Sequence, residues 1–305
     1  MADLMDMSIW GTQNIERASR FAALTLWEGT AMRRDTGRLV TASLAGAVKL
    51  RPLGVLARIV NSILGVFGLY IARSSSTSAW WAHERTPELR HSRLYVGTTY
   101  SPWLSDAEFL SAYEIVKKFT LVDRERCYEL WDFAKQSVKI NGAIIEVGVW
   151  RGGTGCLLAM SAPTKSVYLA DTFQGVVKAG KNDIRYKGGE HADTSVQMVT
   201  RLLSLAQVDN VRLLNGIFPD ETAAGLEGPI SLLHVDVDTY QSAKDIVEWA
   251  LPRLPVGAKI VFDDYGFYES GGITRLVNEL RESLGSFDFV YNLNGHAILI
   301  RTRMP

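Results

Sequence analysis

The sequence is short of cysteine, has no excess of charge of either sign and no long unbroken apolar run, and each shortage closes off a class of protein. Only Cys127 and Cys156 occur among 305 residues, with no C-x-x-C pair, so neither a disulfide framework nor a thiolate zinc site is expected. A reducing cytoplasm is then the expected compartment. Lysine and arginine total 33, as do aspartate and glutamate, which gives no electrostatic footprint for nucleic acid or an anionic membrane. Met1 to Trp10 carries two aspartates and no basic segment ahead of an apolar one, and does not read as a signal peptide. The most hydrophobic region, 39–72, is interrupted by Lys49, Arg51, Pro52 and Arg58. Its longest uncharged run, Ile59 to Ala72, is shorter than the roughly 20 residues of a spanning helix. An amphipathic helix against protein, a neighbouring subunit or a membrane surface suits it better. No internal repeat is present, and the dinucleotide fingerprint G-x-G-x-x-G is missing as well.

What remains is an ordinary globular composition, 47% hydrophobic and 22% charged, enough for one large core and a smaller appendage. Helical spacing over 9–34, 39–50 and 55–64, then the serine run Ser74 to Ser78, makes residues 1–94 a helical amino-terminal extension and 95–305 the main domain. Ser105 and Glu108 fit a capping box opening a helix to about Lys118, and a second helix starts near Thr120. From Ala143 onward, strand and helix patterns alternate. Strands are expected at 144–147, 167–170, 211–214, 231–237, 259–262, 287–293 and 297–301, and helices at 154–160, 194–205, 242–251 and 272–284. The alternation implies an α/β, Rossmann-like fold with a mostly parallel sheet, and Asn294-Gly295 implies an antiparallel hairpin at one edge.

The most informative stretch is Ser231 to Tyr240, an apolar strand pattern ending in Asp236 and Asp238. A strand buried between helices cannot keep two unpaired carboxylates in its middle, so both belong at its carboxyl end. The next strand ends in Asp263-Asp264. Neighbouring strands that end in acids form an oxygen-rich cup suited to a hard cation. The first strand runs into Glu146-Val-Gly148-Val-Trp-Arg-Gly152-Gly153, where glycine allows a tight turn and the following helix offers free N–H groups. An acid two residues before the first glycine disfavours a pyrophosphate and suits a sulfonium ligand such as S-adenosylmethionine. Asp171 ends the second strand, where a carboxylate can accept hydrogen bonds from a ribose diol.

Six segments in order resemble the macrocin-type O-methyltransferases, the TylF/MycF/NovP family: 119–126, 145–153, 169–175, 216–222, His234-Val-Asp-Val-Asp-Thr-Tyr240 and Val261-Phe-Asp-Asp-Tyr265. The resemblance runs from about Tyr95 to Arg301. It implies a class I methyltransferase fold and Mg²⁺-dependent methyl transfer from S-adenosylmethionine to a hydroxyl of a sugar or glycosylated natural product. By motif position it implies Asp236, Asp263 and Asp264 as metal ligands and Asp238 as general base. It further implies Glu146, Gly148 and Asp171 as donor contacts, with the segment Thr120 to Arg126 as part of the site's wall. A homo-oligomer is expected, with no transmembrane span and peripheral membrane contact left open.

Alternatives stay open at this point. Asp238 is either the base or a helix cap paired with Gln241, and Asp264 either a ligand or a turn cap. His234 reads as a hydrogen-bonded core histidine, His296 as a loop or edge residue, and the polar segment 178–190 as a surface loop or a substrate lid. Trp80, Trp81 and Trp103 read as anchors or as sugar-stacking faces. A catechol-type enzyme acting on an aromatic vicinal diol is the competing acceptor class, and a nucleotide-dependent oxidoreductase or a non-catalytic binding protein the competing function.

Overall fold

In the computed structural model, residues 98–226 and 228–304 are described, and the expectations for residues 1–94, including Trp80 and Trp81, lie outside them. Seven strands form one sheet in the order β3-β2-β1-β4-β5-β7-β6. They are β1 (Ala143–Val147), β2 (Val167–Asp171), β3 (Val211–Asn215), β4 (Ile230–Val235), β5 (Lys259–Phe262), β6 (Phe287–Tyr291) and β7 (Ala297–Arg301). The first five are parallel, while β7 runs antiparallel to both β5 and β6. The described helices are α1 (Ala107–Val116), α2 (Arg124–Ser137), α3 (Gly153–Ser161), α4 (Val196–Leu205), α5 (Tyr240–Ala250) and α6 (Gly271–Ser283).

Both faces of the central strands are apolar, so both must be covered by helices. Ile144, Leu169, Leu232 and Val261 pack with Phe109, Leu130, Leu157 and Leu202 in one layer. Ile145, Leu233, Val235, Ile260 and Phe262 pack with Ile246, Val247, Leu276 and Val277 in the other. Each such fully buried side chain contributes about 1.5–3 kcal/mol, which makes the central strands a firm base for whatever their ends carry. Trp103 is partly buried against the first layer, edge to face with Tyr128.

Three local expectations are corrected. Helix α1 is capped by Asp106, whose side chain accepts from Phe109 N, because a 3-10 turn at Pro102–Leu104 engages the Ser105 hydroxyl with the Pro102 carbonyl. Pairing of β4 stops at Val235 and not at 237, because β1 turns away at Gly148 (φ 92) beside the Asp236 carbonyl. The β6–β7 connection spans residues 292–296, with Leu293 and Gly295 at positive φ, and is longer than a two-residue turn.

Candidate active site

The sheet order reverses direction between β1 and β4, and the ends of these strands diverge there, which is where open α/β sheets bind ligands. Gly148 and Gly152 turn the chain at φ 92 and 87, and Gly152 caps α3 with no side chain over the helix's free N–H groups. A Cβ on Gly148 would strike the Asp236 carbonyl oxygen, so only glycine lets β1 and β4 part this closely. Asp171 braces the turn: Oδ2 accepts from Val149 N at 2.8 Å and Trp150 N at 2.7 Å, and Oδ1 from Phe173 N at 2.7 Å. Burial raises its pKa against the pull of those backbone donors. Glu146 lies within β1, completely buried, with Oε1 2.8 Å from His234 Nδ1 and Oε2 turned toward α3 at Gly155.

Beyond the ends of β4 and β5 the aspartates converge. Asp236 N bonds Val147 O and Asp263 N bonds Val235 O, which fixes both residues one step past their strands. Asp236, Asp263 and Asp264 each offer a carboxylate oxygen within 4.8 Å of the others. Asp238 and Asp264 sit at φ 63 and 64, a left-handed conformation that costs roughly 1–3 kcal/mol for a non-glycine residue. Asp238 lies close enough to Asp264 for its charge to raise the Asp264 pKa. Thr239, not Asp238, occupies the N-cap position of α5, without a side-chain cap bond, and the Tyr240 N–H at the helix start is taken by Asp183.

Crowding sets the electrostatics. Burial and then neighbouring carboxylates push Asp236 and Asp264 well above the usual carboxylate range. Burial opposes ionisation of Asp263 too, but His296, with Nε2 3.0 Å away, and the charge of Arg126 outweigh it and hold this carboxyl low. Arg126 Nη1 lies 2.5 Å from Asp263 Oδ1, and Nε is 2.9 Å from Asp123 Oδ2. A set of hard oxygen donors with more negative charge than one guanidinium balances fits a divalent cation.

Sequence reasoning missed His296. It is fully buried, with Nδ1 2.5 Å from Glu129 Oε2 and Nε2 3.0 Å from Asp263 Oδ1. A loop histidine beside Asn-Gly carries no local signal of this, since its partners come from α2 and the end of β5. Tyr186 was missed as well. It lies in the loop after β2, is 6% exposed, and interacts with Asp238, whose negative charge adds to burial in raising the phenol's pKa.

That loop is stitched down along much of its length. Asp183 accepts from Gly180 N at 2.8 Å and from Tyr240 N at 2.9 Å. Val177 O accepts from Thr239 Oγ1 and Ser242 Oγ, Lys178 bridges Asp220 and Asp245, and Arg185 pairs with Glu269. It therefore walls the acid cluster and is more than a solvated surface loop.

This sheet, with one reversed strand and a crevice between β1 and β4, is that of the Rossmann-like class I methyltransferases. The structure of the O-methyltransferase NovP shares the fold, with a TM-score of 0.55 at 22% identity over 61% of this chain and 83% of that one. Within the class, the family model for Macrocin-O-methyltransferase (TylF) matches residues 116–301, and the chain belongs to that family. It is an S-adenosylmethionine-dependent O-methyltransferase. Mycinamicin III 3''-O-methyltransferase of Micromonospora griseorubida is 27% identical over 200 residues, 60% of this chain and 78% of the relative. A Streptomyces olivaceus relative is 26% identical over 176 residues, 53% of this chain and 66% of its own. That relative is 8-demethyl-8-(2,3-dimethoxy-alpha-L-rhamnosyl)-tetracenomycin-C 4'-O-methyltransferase. No described helix is long and apolar enough to cross a membrane.

Proposed function

We propose that this enzyme methylates a hydroxyl of a sugar or glycosylated small molecule, with Mg²⁺ in the cup of Asp236, Asp263 and Asp264 and with Asp238 as general base. The observation that carries the reading is the meeting of those three carboxylates beside Asp238 at the carboxyl ends of β4 and β5. The rhamnosyl acceptor named for the Streptomyces olivaceus relative supports the sugar class. When bound, Mg²⁺ supplies a template and Lewis acid for two vicinal oxygens.

The residues of the chain divide the remaining work. The glycine turn from Gly148, held by Asp171, and the free N–H groups of α3 receive the methyl donor, with Glu146 behind the turn. The acceptor oxygen forms its bond to the methyl carbon as the carbon–sulfur bond breaks, and its proton passes to an Asp238 oxygen. In-line placement is the larger demand, because a neutral alcohol is a weak nucleophile and gains mainly from positioning. Tyr186 fixes the Asp238 carboxylate from the wall side. The division into residues 1–94 and 95–305, a homo-oligomeric state and a cytoplasmic location belong to the same proposal.

Labelled donor with a panel of glycosides and catechols, with and without chelator, tests the reading. Turnover of glycosides that chelation abolishes and Mg²⁺ restores is expected. Turnover of catechols alone would replace the sugar class, and full activity in excess chelator would remove the metal.

A further inference from the structure

Behind the oxygen cup, three neighbouring strands bring together a second set of ligands of different chemistry. His234 lies in β4, Asp263 follows β5, and His296 precedes β7, and these strands are adjacent in the sheet. Both imidazoles are completely buried, and their rings stand 6.0 Å apart at 74°. Each ring is oriented by a carboxylate at Nδ1: His234 by Glu146 at 2.8 Å, and His296 by Glu129 at 2.5 Å. Each then presents Nε2 to the dry interior without an aligned hydrogen-bond partner. His296 Nε2 is 3.0 Å from Asp263 Oδ1, close enough to bond, yet its N–H does not point along that line. One ligand atom from each of the three residues lies within 4.8 Å of the others.

We propose that His234, His296 and Asp263 form a second cation site, behind the oxygen cup, that takes a first-row transition metal ion such as Zn²⁺, Fe²⁺ or Co²⁺. Two imidazoles and one carboxylate suit such an ion, whereas Mg²⁺ prefers oxygen alone. Histidine ligands characteristically donate their other ring nitrogen to a carboxylate, and ligating carboxylates are themselves hydrogen-bonded. Glu146, Glu129 and Arg126 stand in those supporting positions, Arg126 on the Asp263 oxygen. Five carboxylates gather here, those of Glu129, Glu146, Asp236, Asp263 and Asp264, against the guanidinium of Arg126, so added positive charge is favoured. Asp263 would then face both sites, one oxygen toward each. The competing occupant of the same space is a proton on His296 shared between Glu129 and Asp263.

Proton NMR of the full chain, stripped of metal and titrated with Co²⁺, separates these. Imidazole N–H protons on Co²⁺-bound rings appear as exchangeable, strongly shifted resonances, one for each histidine. Two are expected in the unaltered chain and at most one in His296→Gln. In Asp264→Asn, which disables the oxygen cup only, both should persist. Glu129→Gln, which keeps the ligand but loosens its ring, should weaken Co²⁺ binding about 10–100-fold. Absence of both resonances at saturating Co²⁺ would overturn the proposal in favour of the shared proton, and this result needs no variant to fold. Unchanged resonances in His296→Gln would overturn it equally. Activity that survives chelation would sink the Mg²⁺ reading while leaving these resonances unaffected.

Discussion

Asp236, Asp263 and Asp264 bring ligand oxygens within 4.8 Å of one another, yet burial and repulsion push the pKa of the first and last up while His296 and Arg126 hold that of Asp263 down. Residue-scale expectations follow for them and for Asp238 beside them. Asp238→Asn removes the proton acceptor and keeps the shape, so kcat should fall about 10²–10⁴-fold while donor affinity, measured by calorimetry, stays unchanged. A kcat within a few-fold of the parent would end its role as base. Asp264 shows the opposite balance of stability and function. Its pKa in the folded chain is raised by burial and by Asp263 and Asp238, so the folded state retains a proton that the unfolded state releases. Stability then falls as pH rises from the ordinary carboxylate range through the raised one. In chelator at neutral pH, Asp264→Asn should therefore melt higher than the parent, by about 2–4 °C for each kcal/mol of relieved repulsion. The difference should vanish in acid, and the variant should bind Mg²⁺ more weakly. Asp263 has the reverse sign, its stabilisation being lost as pH falls, because His296 and Arg126 hold it ionised.

At the scale of elements, the loop between β2 and α4 is the least expected part of the site. Its composition, rich in glycine, lysine and aspartate, is that of a solvated loop. Its fold turns on Asp183, which is 4% exposed and receives two backbone donors, one at the start of α5. Asp183→Ala leaves those N–H groups without their acceptor, a cost of about 1–3 kcal/mol, and should release Tyr186 from Asp238. Faster trypsin cleavage at Arg185 or Lys187 is expected, together with a lower kcat/KM for the acceptor and an unchanged donor Kd. Cleavage at the parent rate would mean that the Lys178 and Arg185 ion pairs hold the loop by themselves. The strands were legible because period and apolarity are local properties, and β5 and β7 fall at Lys259–Phe262 and Ala297–Arg301 as read. The caps shifted where a neighbouring turn took the expected capping side chain, as Pro102–Leu104 did with Ser105.

At the scale of the whole molecule, a ligand that binds only the folded chain raises its stability by mass action. Mg²⁺ at about 100 times its Kd should add about 2.7 kcal/mol, seen as a rise in Tm that is absent in Asp236→Asn. No rise at any Mg²⁺ concentration would argue that the carboxylates do not act together. The sequence by itself determined the alternating strands and helices, the glycine turn at Gly148 and the acids Asp171, Asp236, Asp238, Asp263 and Asp264 at strand ends. It could do so because a buried strand excludes an unpaired charge except where it leaves the sheet. Only the tertiary structure decided who stands beside those acids. Arg126 reaches Asp263 across 137 positions and His296 reaches Glu129 across 167. No local period encodes such pairs: they exist because the strand order sets β7 next to β5 and the packing of α2 turns Arg126 and Glu129 toward the same end of the sheet.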